Sequence, residues 1–255
     1  MERPVVVTGA SRGIGKALAL ALAKGGTSLV ICARSGRDLD AVAKEARSAG
    51  VECQSVHADL STQEGRDALL FAVPGRIGGL INNAGFGTAG PFAQQSAARE
   101  RQMLRLNVEA VVDLIHGFLP RLDAGGFIVN VASTAGFQPV PLFATYSASK
   151  AFVLSLSEAL ADELAERRIR VMALCPGVTR TDFQRVASVN LAGPTAEPDD
   201  VARFALRALR AGKRVAIHGA RNNLLVQSER FAPRRIVVKM ARKLIEPWFR
   251  EPAAR

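Results

Sequence analysis

The sequence predicts an α/β fold with a parallel sheet, on three observations. The chain opens on a short apolar run, residues 4–8, that passes through glycines directly into a helix-forming stretch, the start of an open α/β sheet. Further apolar runs, read as buried strands, then alternate with helical patterns along the chain. A length of 255 residues with 48% hydrophobic content suits one domain of ordinary size with a full core.

The first strand leads into Gly9-Ala10-Ser11-Arg12-Gly13-Ile14-Gly15 and a helix over 16–24 that ends at Gly25-Gly26. Glycines here let the backbone turn tightly and let a pyrophosphate approach the helix N-terminus. The spacing, Gly-x-x-x-Gly-x-Gly, differs from the G-x-G-x-x-G pattern. The second strand, 27–33, ends in Ala33-Arg34-Ser35, where an acidic residue would hold the ribose 2′-hydroxyl of NAD. Ala33 offers no carboxylate, while Arg34 and Arg12 offer two guanidiniums to a 2′-phosphate, so NADP(H) is the expected cofactor. The plainer alternative makes both arginines solvated loop residues.

A helix over 38–49 precedes the third strand, 51–57, which ends in Ala58-Asp59-Leu60. Asp59 suits either an adenine amino group or the cap of the helix that starts after Ser61. His57 has no catalytic partner in the sequence, and all three histidines are read as non-catalytic. The fourth strand, 79–82, gives Asn83-Ala84-Gly85, a corner where a ligand can lie against backbone. A long helix follows over 97–122, its apolar stripe interrupted by Asn107. A buried helix asparagine needs partners, either neighbouring backbone or a water in a proton path.

The apolar run 126–133 reads as a buried strand ending in Ser133, at the strand end where ligands bind. Thirteen residues later stands Tyr146, the only tyrosine, with Lys150 four positions beyond it on the same helix face. A phenol with a pKa near 10 is a poor acid-base group at neutral pH, and a close ammonium pulls it down. Ser133, Tyr146 and Lys150 therefore suggest carbonyl polarisation, proton transfer and cofactor anchoring.

Composition excludes several classes. Cys32, Cys53 and Cys175 lie in apolar strand-like runs without ligand spacing, so buried inert thiols and no metal are expected. The net charge of +11 is concentrated at the end, where residues 221–255 hold nine basic residues against three Glu. No zinc-finger, homeodomain or RNA-recognition signature accompanies it, so nucleic acid is not expected as a partner. No apolar run reaches membrane-spanning length and no signal-peptide pattern opens the chain, so a cytoplasmic location is expected.

Thr8-Gly9-x-x-x-Gly13-Ile14-Gly15, Asn83-Ala84-Gly85, Asn107, Ser133, Tyr146-x-x-x-Lys150 and Pro176-Gly177 occur in the order and spacing of the short-chain dehydrogenase/reductases. The chain resembles that family over roughly residues 4–220, and looks most like its general bacterial branch, related to hydroxysteroid-type and 3-oxoacyl reductases. The resemblance implies a doubly wound Rossmann domain over 1–220, with seven parallel strands in the order 3-2-1-4-5-6-7 and helices on both faces. It casts Tyr146 as proton donor, Ser133 as carbonyl-orienting residue, Lys150 as ribose anchor and Asn107 as support of a water relay. The cofactor would also meet Gly9, Ser11, Arg12, Gly13, Ile14, Gly15, Arg34, Asp59, Leu60, Asn83, Ala84 and Gly85. Beyond the catalytic residues it would meet Pro176, Gly177, Thr179 and Thr181, the two threonines at the carboxamide. Helices 97–122 and 147–168 pair between subunits in the family, which implies a homodimer or homotetramer.

After the sixth strand, 169–175, residues 178–198 lie where the family places its substrate lid. Phe183, Val186, Val189 and Leu191, with Phe137, Val140, Leu142 and Phe143 opposite, suggest an apolar pocket. The seventh strand is expected over 214–218, and a C-terminal helical extension, 221–255, continues past it. Over 233–245, Ile236, Val237, Met240, Ala241 and Leu244 share one helical face, and Lys239, Arg242 and Lys243 line the other, with Trp248-Phe249 beyond. Such a helix binds an anionic membrane or packs on the body or a partner subunit, and packing is favoured. The expected function is NADPH-dependent reduction of an apolar ketone or aldehyde. The alternative is a catalytically weak nucleotide-sensing or membrane-associated binding module on the same fold.

Overall fold

The computed structural model describes residues 3–187, 189, 195–229 and 231–249. Strand β1 (Val5–Thr8) lies between β2 (Leu29–Ala33) and β4 (Ile77–Asn82), with β3 (Cys53–His57) outside β2. Beyond β4 come β5 (Leu122–Val131), β6 (Arg170–Cys175) and β7 (Val215–Ile217). Every neighbouring pair is parallel, and the order is the expected 3-2-1-4-5-6-7. The order reverses between β1 and β4, so the loops after these two strands leave in different directions and open a crevice above the strand ends.

Strand alternation explains why both faces are covered. Val6, Val30, Leu80 and Ile128 pack into one apolar cluster with α3 (Gln63–Ala72), α4 (Ala97–Leu104), α5 (Ala110–Phe118) and α6 (Ala144–Glu163). Val5, Val7, Ile31, Ile81 and Leu174 pack into another, with α1 (Gly13–Lys24), α2 (Gly36–Ser48) and α8 (Pro198–Arg210). Each aliphatic side chain buried in this way contributes roughly 1.5–3 kcal/mol. The three cysteines are free and buried within these layers, as expected.

The helix expected over 97–122 forms as one helical run to Arg121, but it is not α throughout. After α4 the chain makes one π turn over Arg105–Glu109 before α5 begins, and Asn107 sits in that turn with no exposure. The inserted residue turns the Asn107 amide toward the Phe86 backbone, which it bonds in both directions. A 3₁₀ turn at Leu119–Arg121 containing Pro120 ends the helical run, because proline has no N–H to continue it. Strand β5 accordingly starts at Leu122 rather than at residue 126.

Past the sheet the chain forms α7 (Phe183–Val186), α9 (Ala220–Glu229), α10 (Arg234–Ile245) and a 3₁₀ turn over Glu246–Phe249. These close a third apolar cluster in which Ile245, Trp248 and Phe249 meet Val140, Phe143, Phe183 and Val189. Phe143 makes edge contacts with Trp248 and Phe249, at centroid distances of 6.2 and 5.8 Å. One stripe of α10 thus packs on the body of its own chain. Leu191 lies outside the described residues. Among the described residues, no helix is long and apolar enough to cross a membrane.

Candidate active site

The turn after β1 depends on glycine. Gly9 and Gly13 have φ of +65° and +56°, where a side chain is strained, and a Cβ on Gly9 would meet the Ala84 Cα at 2.8 Å. The close approach joins the ends of β1 and β4. Thr8 Oγ1 accepts from the backbone N–H groups of Asn83 and Ala84, each at 3.0 Å. Asn83 Nδ2 in turn donates to the carbonyls of Thr8 and Gly9, at 3.0 and 3.1 Å.

Above these strand ends lies one continuous cavity of about 1390 Å³. The first turn contributes Gly9, Ser11, Arg12, Gly13 and Ile14, and the ends of β2, β3 and β4 contribute Arg34, Asp59, Leu60, Asn83, Ala84 and Gly85. The same cavity is lined by Ser133, Tyr146 and Lys150, by Pro176, Gly177, Thr179 and Thr181, and by Val140, Phe143 and Phe183.

Among the described residues, five expected ones do not line it: Gly15, Asn107, Phe137, Leu142 and Val189. Gly15 faces the Asn83 amide and the Gly9 carbonyl, so it serves the turn itself. Phe137 ends the 3₁₀ turn Thr134–Gly136 and packs its ring against the core under the sheet. Asn107 lies behind the wall, where its Nδ2 donates to the Phe86 carbonyl at 2.9 Å and to Ser149 Oγ at 3.1 Å. Its Oδ1 accepts from the Phe86 N–H at 3.2 Å. The bonds to neighbouring backbone expected of this asparagine are made on both sides of its amide.

The electrostatics of the pair on α6 differ from the expectation. Burial pushes the Tyr146 phenol up to about 12, and the Ser133 hydrogen bond opposes this only in part. Its ring is flanked by Phe143 and Phe183, at centroid distances of 6.0 and 5.2 Å. Lys150 is buried and is pulled down to about 8 by the same loss of solvent. Its Nζ donates to the Val131 carbonyl at 2.7 Å and stands 5.9 Å from the Tyr146 ring centroid. The ammonium is anchored to the end of β5, and desolvation is the largest influence on both groups.

The two expected cofactor arginines are already paired. Arg12 Nη1 donates to Asp182 at 2.6 Å and Nε to Asp38 at 2.9 Å, contacts that raise its pKa and hold both carboxyls below their ordinary range. Arg34 lies 3.7 Å from Asp59. Burial alone would raise Asp59, but donors from the Ser61 backbone and hydroxyl, with Arg34, bring it lower. The cap of α3 is Thr62, which accepts from the Gly65 N–H at 3.1 Å, so Asp59 is not the helix cap. His57 pairs with Asp40 at 3.0 Å on an exposed surface.

Part of the cavity wall was not anticipated from the sequence. Met240, Ala241, Leu244, Ile245 and Trp248 line it from the C-terminal extension, with Asn222 and Glu229 from α9 and Gln138 opposite. With its amide turned to face both acceptors, Gln138 donates to Glu229 Oε2 and to the Thr134 carbonyl, each at 3.0 Å. Burial raises the Glu229 carboxyl. The apolar face over 233–245 and the Trp248-Phe249 pair beyond it are the local hints that this segment returns to a core.

The family model for short chain dehydrogenase matches residues 3–191. Estradiol 17-beta-dehydrogenase 11 of Mus musculus is 33% identical over 242 residues, 91% of this chain and 80% of that protein. Among solved structures, a short-chain dehydrogenase from Sphingobium yanoikuyae in complex with NADPH is similar at a TM-score of 0.80 and 33% identity, covering 99% of this chain and 98% of that one. The bulky-bulky ketone specific alcohol dehydrogenase from Comamonas testosteroni is similar at 0.76 and 30% identity, covering 99% and 97%. With the glycine turn, the strand order and these matches together, the chain belongs to the short-chain dehydrogenase family of oxidoreductases.

Proposed function

We infer that the protein reduces a ketone or aldehyde on an apolar substrate, reversibly, with NADPH. The observation that carries this reading is that Ser133, Tyr146 and Lys150 line the cavity that also holds the glycine turn and a largely apolar wall. Gly9 and Gly13 line the cavity with backbone alone where a pyrophosphate would approach α1, so the residues fit a dinucleotide. Ser11, Arg12, Ile14, Asp59, Asn83, Thr179 and Thr181 would hold it, with Lys150 at the ribose. A nicotinamide dinucleotide bound there supplies the hydride or accepts it.

The chain's own residues handle the oxygen and its proton. Ser133 Oγ accepts from the Ala135 N–H at 3.1 Å and is hydrogen-bonded to the Tyr146 phenol, so the two hydroxyls stand together where a carbonyl oxygen would be held. Tyr146, held as a neutral phenol by burial, gives its proton to that oxygen as negative charge develops. Phe143, Phe183, Val140 and, from the extension, Ile245 and Trp248 exclude water and select apolar substrates. We read Met240, Ala241, Leu244, Ile245 and Trp248 as the residues of the extension that complete the substrate site of the 1–220 domain. The likeness to an enzyme named for bulky-bulky ketones supports a large substrate. The half-exposed Phe152 on α6 supports pairing of subunits through that helix.

The test is a ketone panel followed by loss of NADPH absorbance, with NADH alongside. Turnover of bulky apolar ketones is expected. NADPH binding without turnover of any member would overturn the enzymatic reading.

A further inference from the structure

Helix α10 carries two adjacent apolar stripes. Val237, Ala241 and Ile245 are buried against the body. Ile236, Met240 and Leu244, each one residue earlier at the same spacing, are 49%, 54% and 56% exposed. Phe231, in the turn between α9 and α10, is 90% exposed, and Leu224 on α9 is 72% exposed. Met240 and Leu244 also line the cavity, so the exposed stripe runs into the cavity mouth.

Charge distinguishes this stripe from scattered surface apolar residues. α10 contains Arg234, Arg235, Lys239, Arg242 and Lys243 and no acidic residue. Among the described residues, none of the five pairs with a carboxylate, so five cations stand together on one helix without a counter-charge. By helical periodicity the basic face borders the exposed stripe on the side away from the body. A second copy placed on this stripe would set like charges against like charges. A surface of anionic headgroups over acyl chains satisfies both the cations and the stripe.

We propose that α10 and the turn before it dock on an anionic lipid surface, with the cavity mouth facing the bilayer. Apolar carbonyl substrates then enter from the lipid, a corollary that rests on the function proposed above, whereas the docking does not.

The full chain is sedimented with phosphatidylcholine vesicles with and without phosphatidylglycerol. Co-sedimentation with the anionic vesicles, weakened by salt, is expected, with little on phosphatidylcholine alone. Lys239→Glu with Arg242→Glu and Lys243→Glu should lower the apparent affinity at least about tenfold. Ile236→Asp with Phe231→Asp should weaken it separately. None of these five residues lines the cavity, so thermal midpoint, NADPH binding and turnover of a water-soluble ketone should be unchanged. Trp248 faces the core, so its emission is not the readout.

Absence of co-sedimentation, or binding that neither set of variants changes, would overturn the docking. So would a concentration-dependent dimer dispersed by Ile236→Asp, which would assign the stripe to a second copy. Docking without reduction of any ketone would instead leave the docking standing and remove the proposed function.

Discussion

Arg12 donates to Asp182 at 2.6 Å across 170 positions of sequence, joining the glycine turn to the segment that follows β6. Its Nε is held by Asp38 at 2.9 Å. A 2′-phosphate would have to compete with these carboxylates for the guanidinium, yet all three side chains are exposed enough to rearrange. A charge-assisted contact is worth roughly 1.5–3 kcal/mol, enough for about tenfold discrimination even after the exchange. The expected outcome is at least about tenfold higher kcat/KM with NADPH than with NADH, lost or reversed in Arg34→Asp. Equal efficiency of the two cofactors in the unmodified protein would remove the argument.

Asn107 makes a second prediction, about stability. Asn107→Ala strands the Phe86 N–H and carbonyl in a site with no exposure, where each unpaired group costs roughly 1–3 kcal/mol. Urea unfolding of the nucleotide-free protein should show a loss of roughly 2–4 kcal/mol on that scale. A change of only a few tenths would mean that water replaces the amide at no cost, in which case the relay reading of this residue regains ground.

Strand ends were legible in the sequence because a parallel strand buried on both faces is a bare apolar run, so Ser133 and Asn83 could be placed at their tips. Tyr146 and Lys150 were legible because helical spacing alone puts them on one face. What periodicity could not supply was the third dimension. Phe137 and Phe143 are both apolar and close in sequence, yet one packs into the core and the other into the cavity. The balance between burial and charge at Tyr146 was likewise hidden, because it depends on how much solvent each group loses. The destination of α10 was hidden for a related reason, since a basic amphipathic helix carries the same pattern against a protein and against a lipid.

Lys150 yields a pH prediction. Its folded pKa of about 8 lies below the ordinary 10.5, so the folded state disfavours the charge. The penalty is fully present below pH 8 and vanishes as pH rises through the unfolded value, because the unfolded chain binds more protons in between. The displacement corresponds to at most roughly 3 kcal/mol, reduced by the bond to the Val131 carbonyl. Lys150→Met, without nucleotide, should therefore be more stable than the parent at pH 7, with an advantage that shrinks between about pH 8 and 10. Taking the difference between the two proteins removes the opposite trend from Tyr146 and Cys32, whose raised values lower stability at high pH, and most of that from Cys175, which also feels the Lys150 charge. A constant difference across that range would show that the lysine is not desolvated as described.

Tyr146 makes the last prediction. Hydride addition to a ketone carbon leaves negative charge on oxygen, and a proton must arrive as that charge forms. Among the described cavity residues, Tyr146 combines a transferable proton with a hydrogen bond to Ser133 and a lysine one turn away. Tyr146→Phe removes one oxygen and almost no volume, and its ring contacts with Phe143 and Phe183 should persist, so folding and NADPH binding should survive. Ketone turnover should fall by at least about 10²-fold, the lower range for a positioned acid. The phenol stays protonated well above neutrality because burial holds it near 12, so it should not limit reduction at mildly alkaline pH. Lys150 loses its charge first, so kcat/KM for NADPH, which reports groups of the free enzyme, should fall above about pH 8. In Tyr146→Phe that fall should remain while the rate at every pH is lower. A variant that kept more than about half of the parent turnover would show that the proton comes from elsewhere.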